Sequence, residues 1–307
     1  MKVLSAREVA KASPYRDVIE ALRQGFREPA ETPVRHHHAT SPSTTLLLMP
    51  AWTRKWTGLK IVTVKTDNPA QGLPTVQGSY LLIDNETGAP VAMLDGTELT
   101  RRRTACASAL AADYLARPDA SVLALVGAGA LAKHFAHAHC AVRPINKIYV
   151  TNRTMEKAES LAAELRSDGM KAEASDMETA VRQADIVSCM TSSTVPLVHG
   201  AWLKTGTHVD LAGAFKPEMR ETDADVVAMA SVYVDTRDGA LAEAGDLIQA
   251  AQEGKFKFSE IKGDLFDLTA GRARGRQNGH EVTLFKSCGT ALEDLATAIM
   301  VYLRSVT

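Results

Sequence analysis

Neither sign of charge dominates this chain of 307 residues, in which 35 lysines and arginines stand against 36 aspartates and glutamates. It also lacks the sustained basic run that neutralises a phosphate backbone, which argues against a nucleic-acid partner. The triplet Arg101-Arg102-Arg103 is isolated within a helical pattern and makes no basic patch. Cysteine is scarce: Cys106, Cys140, Cys189 and Cys288 lie far apart in apolar stretches, without metal-ligand spacing. They read as buried, reduced thiols of a cytoplasmic protein. The longest uncharged apolar stretch, Val122 to Ala132, is well short of the ~20 residues that cross a bilayer, and Met1 to Ala12 has no signal-peptide core. A soluble protein without membrane contact is expected. No Ser/His/Asp elbow, internal repeat or low-complexity tract is present. His36-His37-His38 cannot converge on one ion from an extended chain, so no metal is expected and this triplet reads as a partly exposed strand or loop.

With 45% hydrophobic residues, the chain has ample apolar surface for folded cores, and its length suits two domains. Ser13-Pro14 predicts a helix start, followed by Tyr15, Val18, Ile19, Leu22 and Phe26 at helical spacing. Strand character appears over 45–49, 59–65, 80–84 and 90–94, with a hairpin turn at Asn85-Glu86-Thr87-Gly88, so this half reads as an antiparallel sheet. A long helix runs from Glu98 to Ala116 and stops at Arg117-Pro118. From Ser121 onward, strands alternate with helices: strands over 122–126, 147–150, near 171, 186–190, 208–211 and 232–234, and helices from 130, from 155 and over 177–184. A last strand over 282–285 precedes a helix over 289–303. This alternation predicts a doubly wound parallel sheet of Rossmann type. The fold class is therefore α/β with two domains. Residues 1–118, joined by the terminal helix 289–307, would form an α+β substrate and dimerisation domain, and 119–288 the dinucleotide domain.

The strand Val122–Val126 runs directly into Gly127-Ala128-Gly129-Ala130-Leu131-Ala132 and a helix. That order suits a pyrophosphate, because the first glycine makes the tight turn and the second admits the phosphate to the backbone. The third small residue lets the helix, with its positive amino end, sit close to the strand. After the next strand, Asn152-Arg153-Thr154 offers an arginine and neutral donors and no carboxylate before Glu156. An arginine accommodates a 2′-phosphate that a carboxylate would repel, which favours NADP(H) over NAD(H). Thr191-Ser192-Ser193-Thr194 and Ala212-Gly213-Ala214 fall where carboxyl ends of parallel strands line a cofactor crevice.

Helical spacing places Arg103 with Leu99, Cys106, Leu110 and Tyr114 on an apolar stripe. A buried arginine needs an anionic partner, either a ligand or an internal carboxylate. Lys60 alternates with its neighbours on a strand, where an edge lysine is equally at home, and nothing local distinguishes Arg35 from a surface charge.

The whole chain resembles the ornithine cyclodeaminase/mu-crystallin family. The residues that carry the likeness include Pro33-Val34-Arg35, Gly58-Leu59-Lys60, the block Asp95-Gly96-Thr97 through Arg103-Thr104-Ala105, Gly127-Ala128-Gly129, Pro217 to Glu221 and Phe285 to Leu295. The resemblance implies a homodimer, with Arg35 and Arg103 holding a substrate carboxylate and Lys60 near the reacting carbon. It also implies that Ser287 and Cys288 lie against the nicotinamide. One departure stands out: where cyclodeaminases carry an aspartate after a pair of small residues, this chain has Phe215 after Gly213-Ala214, and phenylalanine can neither donate nor accept a proton. The resemblance thus points to an NADPH-dependent reductase of a small cyclic imino acid, pyrroline-2-carboxylate or piperideine-2-carboxylate, yielding proline or pipecolate. Ornithine cyclodeaminase, an alanine dehydrogenase-like enzyme and a non-catalytic NADPH-binding protein like the crystallin are the alternatives.

Overall fold

A computed structural model describes residues 1–306, except for the side chain of Pro69, and divides the chain into two compact units, 1–104 with 290–307 and 105–289. Sequence texture places the border at 118. The structure divides inside a helix instead, because Arg143 and Arg276 of the second unit bind the carbonyls of Ala112, Asp113, Leu115 and Ala116 at that helix's end. Among the described residues, no helix is long and apolar enough to cross a membrane.

The first unit begins with β1 (Lys2–Leu4), α1 (Ala6–Ala12) and α2 (Tyr15–Gly25). Ser13 does not start α2 as its sequence context suggests. Its hydroxyl turns back to the Val9 carbonyl at the end of α1, and Pro14 precedes α2 without a side-chain cap. The strands β2 (His36–Ser41), β3 (Thr44–Trp52), β4 (Trp56–Lys65), β5 (Val76–Asp84) and β6 (Pro90–Asp95) follow. Their spatial order is β1-β6-β5-β4-β3-β2, antiparallel throughout except that β1 joins β6 in parallel. The histidine triplet lies in β2 with all three residues exposed. Gly88, at φ +69°, makes the expected turn between β5 and β6. Gly58 has a packing reason, since a Cβ there would sit 1.8 Å from the buried Tyr80 hydroxyl.

The helix α3 (Gly96–Leu115) leads into the second unit. There follow β7 (Val122–Val126), α4 (Ala132–Val142), β8 (Lys147–Thr151), α5 (Met155–Ser167), β9 (Ala172–Ala174), α6 (Met177–Gln183), β10 (Ile186–Cys189) and β11 (His208–Leu211). After α7 (Ala224–Met229), β12 (Ala230–Val234), α8 (Arg237–Glu243) and α9 (Gly245–Gln252) come β13 (Gly263–Asp264), α10 (Leu265–Thr269) and β14 (Val282–Lys286). All eight strands are parallel, in the order β13-β12-β14-β11-β10-β7-β8-β9. Chain order reverses direction at β7, which has β8 on one side and β10 on the other. In such sheets that crevice is the expected ligand site. The helix α4 begins at Ala132, two residues later than its sequence suggests, because Gly129 to Leu131 form a turn.

The chain returns to the first unit as α11 (Ala291–Val306). Its Ala291, Leu295, Ala298 and Val301 recur every three or four residues and pack into one core with Met49, Tyr80, Leu82 and Leu94. Along the stripe of α3, Leu99, Cys106 and Leu110 are sealed, as is its alanine-rich flank, while Tyr114 at its end is half-buried.

Candidate active site

In the first unit, β4 projects Lys60 toward the start of α11, and α3 projects Arg103 to the same place. Asp294 joins them, with Lys60 Nζ 2.7 Å from Oδ2 and Arg103 Nε 3.0 Å from Oδ1. Arg103 Nη1 donates to Glu293 Oε2 at 2.5 Å. All four side chains are buried. The anionic partners that the Arg103 stripe demands are thus internal carboxylates, which satisfy Nε and Nη1. Burial and then the Arg103 charge pull the Lys60 pKa down to about 8, while Asp294 opposes the shift and Arg35 adds to it. Arg35, half-buried just before β2, therefore lies within electrostatic reach of Lys60. Burial works against the Arg103 charge, but Asp294 and Glu293 more than offset it and hold that guanidinium ionised. Lys60 and Arg103, with Arg35 in electrostatic reach, thus gather cationic side chains around Asp294. Lys60, at about 8, can supply a proton near neutral pH.

The second unit gathers the expected dinucleotide residues at the carboxyl ends of its central strands. Gly127 takes φ +111°, and a Cβ there would meet Thr191 Cγ2 at 3.1 Å, so the turn requires glycine. A Cβ on Gly129 would meet nothing within 4 Å, which leaves open space above that backbone, as a pyrophosphate needs. Ala128 donates its N–H to Asn152 Oδ1 at 3.3 Å, and Asn152 Nδ2 donates to the Thr154 carbonyl. Asn152 therefore ties the glycine turn to the end of β8, while Ala130, Arg153, Thr154 and Ser192 are exposed. Ser287 and Cys288 are buried beyond β14. Asp235, at the end of β12, accepts the N–H groups of Cys288 and Gly289 at 2.7 and 2.6 Å and the Ser287 hydroxyl at 3.2 Å. Phe215 is exposed after Gly213-Ala214.

Sequence reasoning assigned no role to Glu293, Asp294, Glu221 or Asp235. Adjacent acids in a helix's first turn ordinarily complement its dipole. The available signal was that this pair interrupts the otherwise apolar burial of α11. Asp235 and Glu221 carry no local mark, because most of their partners are amides and hydroxyls of other loops.

A cavity of about 490 Å³ lies elsewhere, against Ile61, Thr63, Gly78, Ser79, Asp95 and Arg101. Strand alternation puts Ile61 and Thr63 on the opposite face of β4 from Lys60. The row Val3, Met93, Leu81, Leu59 crosses four strands on that outer face, with Val3 66% and Met93 38% exposed.

The sequence model of the ornithine cyclodeaminase/mu-crystallin family matches residues 1–307. Delta(1)-pyrroline-2-carboxylate reductase of Paracoccus denitrificans is 41% identical over 289 residues, covering 92% of this chain and 90% of that protein. The same-named enzyme of Thermococcus litoralis, solved with NADH and L-proline, is 33% identical with a TM-score of 0.95, covering 100% of this chain and 98% of that one. An archaeal alanine dehydrogenase dimer with bound NAD is 29% identical, with a TM-score of 0.94 and coverages of 100% and 96%. The chain belongs to the ornithine cyclodeaminase/mu-crystallin family.

Proposed function

We propose that this chain is a reductase of small cyclic imino acids, of the pyrroline-2-carboxylate or piperideine-2-carboxylate type, that prefers NADPH and forms the L-amino acid. The observation that carries the reading is the convergence of Lys60, Arg103 and Arg35 around Asp294, an anion-seeking centre with one ammonium near its titration point. The relatives named as pyrroline-2-carboxylate reductases support the same substrate class. Gly127, Ala128, Gly129 and Ala130 would receive the pyrophosphate. Thr191, Ser192, Ser287 and Cys288 would line the nicotinamide end. Arg153, exposed beside Asn152 and Thr154, supports a 2′-phosphate partner. When bound, the reduced nicotinamide supplies hydride to the imine carbon.

Arg35 and the remaining Nη2 edge of Arg103 hold the carboxylate and so orient the ring. The Lys60 ammonium donates its proton to the imine nitrogen, and Asp294 keeps Lys60 charged and aimed. Phe215 leaves no acid or base where deamination would need one. The apolar row on the outer sheet face, exposed at Val3 and Met93 and half-buried at Leu59 and Leu81, supports a homodimer, with a second copy covering it. A cytoplasmic location follows from the reduced cysteines and the NADPH-linked chemistry.

The test is NADPH and NADH oxidation, followed by absorbance, with pyrroline-2-carboxylate and piperideine-2-carboxylate. Turnover with at least one imine, faster with NADPH, is expected. Binding of NADPH without turnover of either would favour the non-catalytic alternative.

A further inference from the structure

We infer that Glu221 is a positioning residue for the dinucleotide, a single buried carboxylate that clasps the two loops following β10 and β11. This rests on reading the 105–289 unit as the nicotinamide dinucleotide site. Glu221 Oε1 accepts the Thr191 N–H at 2.6 Å and the Thr191 hydroxyl at 2.9 Å. Oε2 accepts the N–H groups of Gly213 at 2.8 Å and Ala214 at 3.3 Å. One side chain thereby satisfies four donors from loops that follow neighbouring strands at the centre of the sheet. The approach needs Gly213, since a Cβ there would sit 2.1 Å from the Thr191 carbonyl and 2.3 Å from Glu221 Oε1.

The clasp continues to the glycine turn, because Thr191 Cγ2 is the atom that a Cβ on Gly127 would meet. Glu221 is itself held: its N–H and that of Thr222 donate to Asp246 Oδ1 at 2.7 and 3.0 Å, and Lys286 Nζ lies 3.2 Å from Asp246 Oδ2. Burial and then the Asp246 charge push the Glu221 carboxyl up to about 7, while Lys286 and the Thr191 N–H and hydroxyl pull it down, and it is the ionised, acceptor-only form that serves all four donors. Glutamine would turn an NH2 toward at least one N–H, and aspartate is too short to reach both loops.

The experiment measures NADPH dissociation by nicotinamide fluorescence, with imino-acid KM and kcat at saturating cofactor, on wild type, Glu221→Gln and Glu221→Asp. Glu221→Gln is expected to raise the NADPH Kd at least tenfold, and Glu221→Asp several-fold, with imino-acid KM and saturated kcat within twofold of wild type. A merely structural role would lower the melting temperature and the active fraction without moving Kd in the folded protein. If Glu221→Gln fails to fold, Glu221→Asp, which keeps the charge, decides. A Kd within twofold of wild type in the folded variant overturns the inference. Wild type that binds neither NADPH nor NADH overturns the dinucleotide reading itself, a result distinct from variants that bind like wild type.

Discussion

Asp294 is the acceptor shared by Lys60 and Arg103, so Asp294→Asn is the most informative single change. It keeps the shape and removes one negative charge from a cluster of three cations and two carboxylates. Charge centres about 4 Å apart attract by about 4 kcal/mol at an effective dielectric near 20, equivalent to about three pH units. Glu293 remains, and water can enter beside the weakened pair, so the expected drop in the Lys60 pKa is at least about one unit. In the proposed role Lys60 donates as an ammonium, so kcat/KM for imine reduction is expected to decline as pH rises through about 8 in wild type. In Asp294→Asn that alkaline limb moves to lower pH. Stability should also fall by roughly 3 kcal/mol, the low end for breaking a buried pair, because the amide oxygen still accepts. The assays are kcat/KM from pH 6 to 10 and urea unfolding of the same preparations. A variant that stays folded with its limb unmoved would show that Asp294 does not hold the proton on Lys60. A wild type with no limb near 8 would remove Lys60 as the donor.

Arg153→Asp should raise the KM for NADPH by about 10- to 100-fold, the loss of a charge-assisted contact plus an added repulsion, and that for NADH far less. Equal losses in steady-state kinetics would mean that Arg153 does not read the 2′-phosphate. Gly129→Val places its side chain in open space, so the melting temperature should hold within about 2 °C while the cofactor Kd rises at least about tenfold. Calorimetry and fluorescence titration separate the two effects, and unchanged Kd would move the pyrophosphate elsewhere. Ammonia release from L-ornithine with catalytic NAD should be negligible beside imine reduction, and comparable rates would defeat the argument from Phe215.

Much of the second unit was legible because its strands are buried on both faces. The strands read over 122–126 and 208–211 match β7 and β11 end for end, and the glycine turn lies between consecutive elements. In the first unit, periodicity found β3 to β6, missed β1 and left the histidine triplet of β2 open between strand and loop. Three residues in β1 and the wholly exposed β2 have no alternation to read. Ser13 misled because a serine before proline suits a helix start, yet a helix ending there offered a nearer carbonyl. Arg103 signalled correctly that a buried cation needs an anion. Which anion could not be read, since Glu293 and Asp294 arrive about 190 residues later.

That distance matters during synthesis. Lys60 and Arg103 are made early, but both carboxylates that neutralise them and the apolar stripe of α11 that completes their core come from 290–307, after the 105–289 unit. At cellular elongation rates the intervening unit takes on the order of ten seconds or more to appear. Until then the first sheet has an uncovered apolar face and two cations with no carboxylates to bury against. The 105–289 unit, whose sequence is one unbroken run, is free to fold first. The Lys60–Arg103 cluster is thus completed only after the 105–289 unit has been made, and a nascent chain cut short before Glu293 would carry that unit with neither carboxylate to pair the two cations.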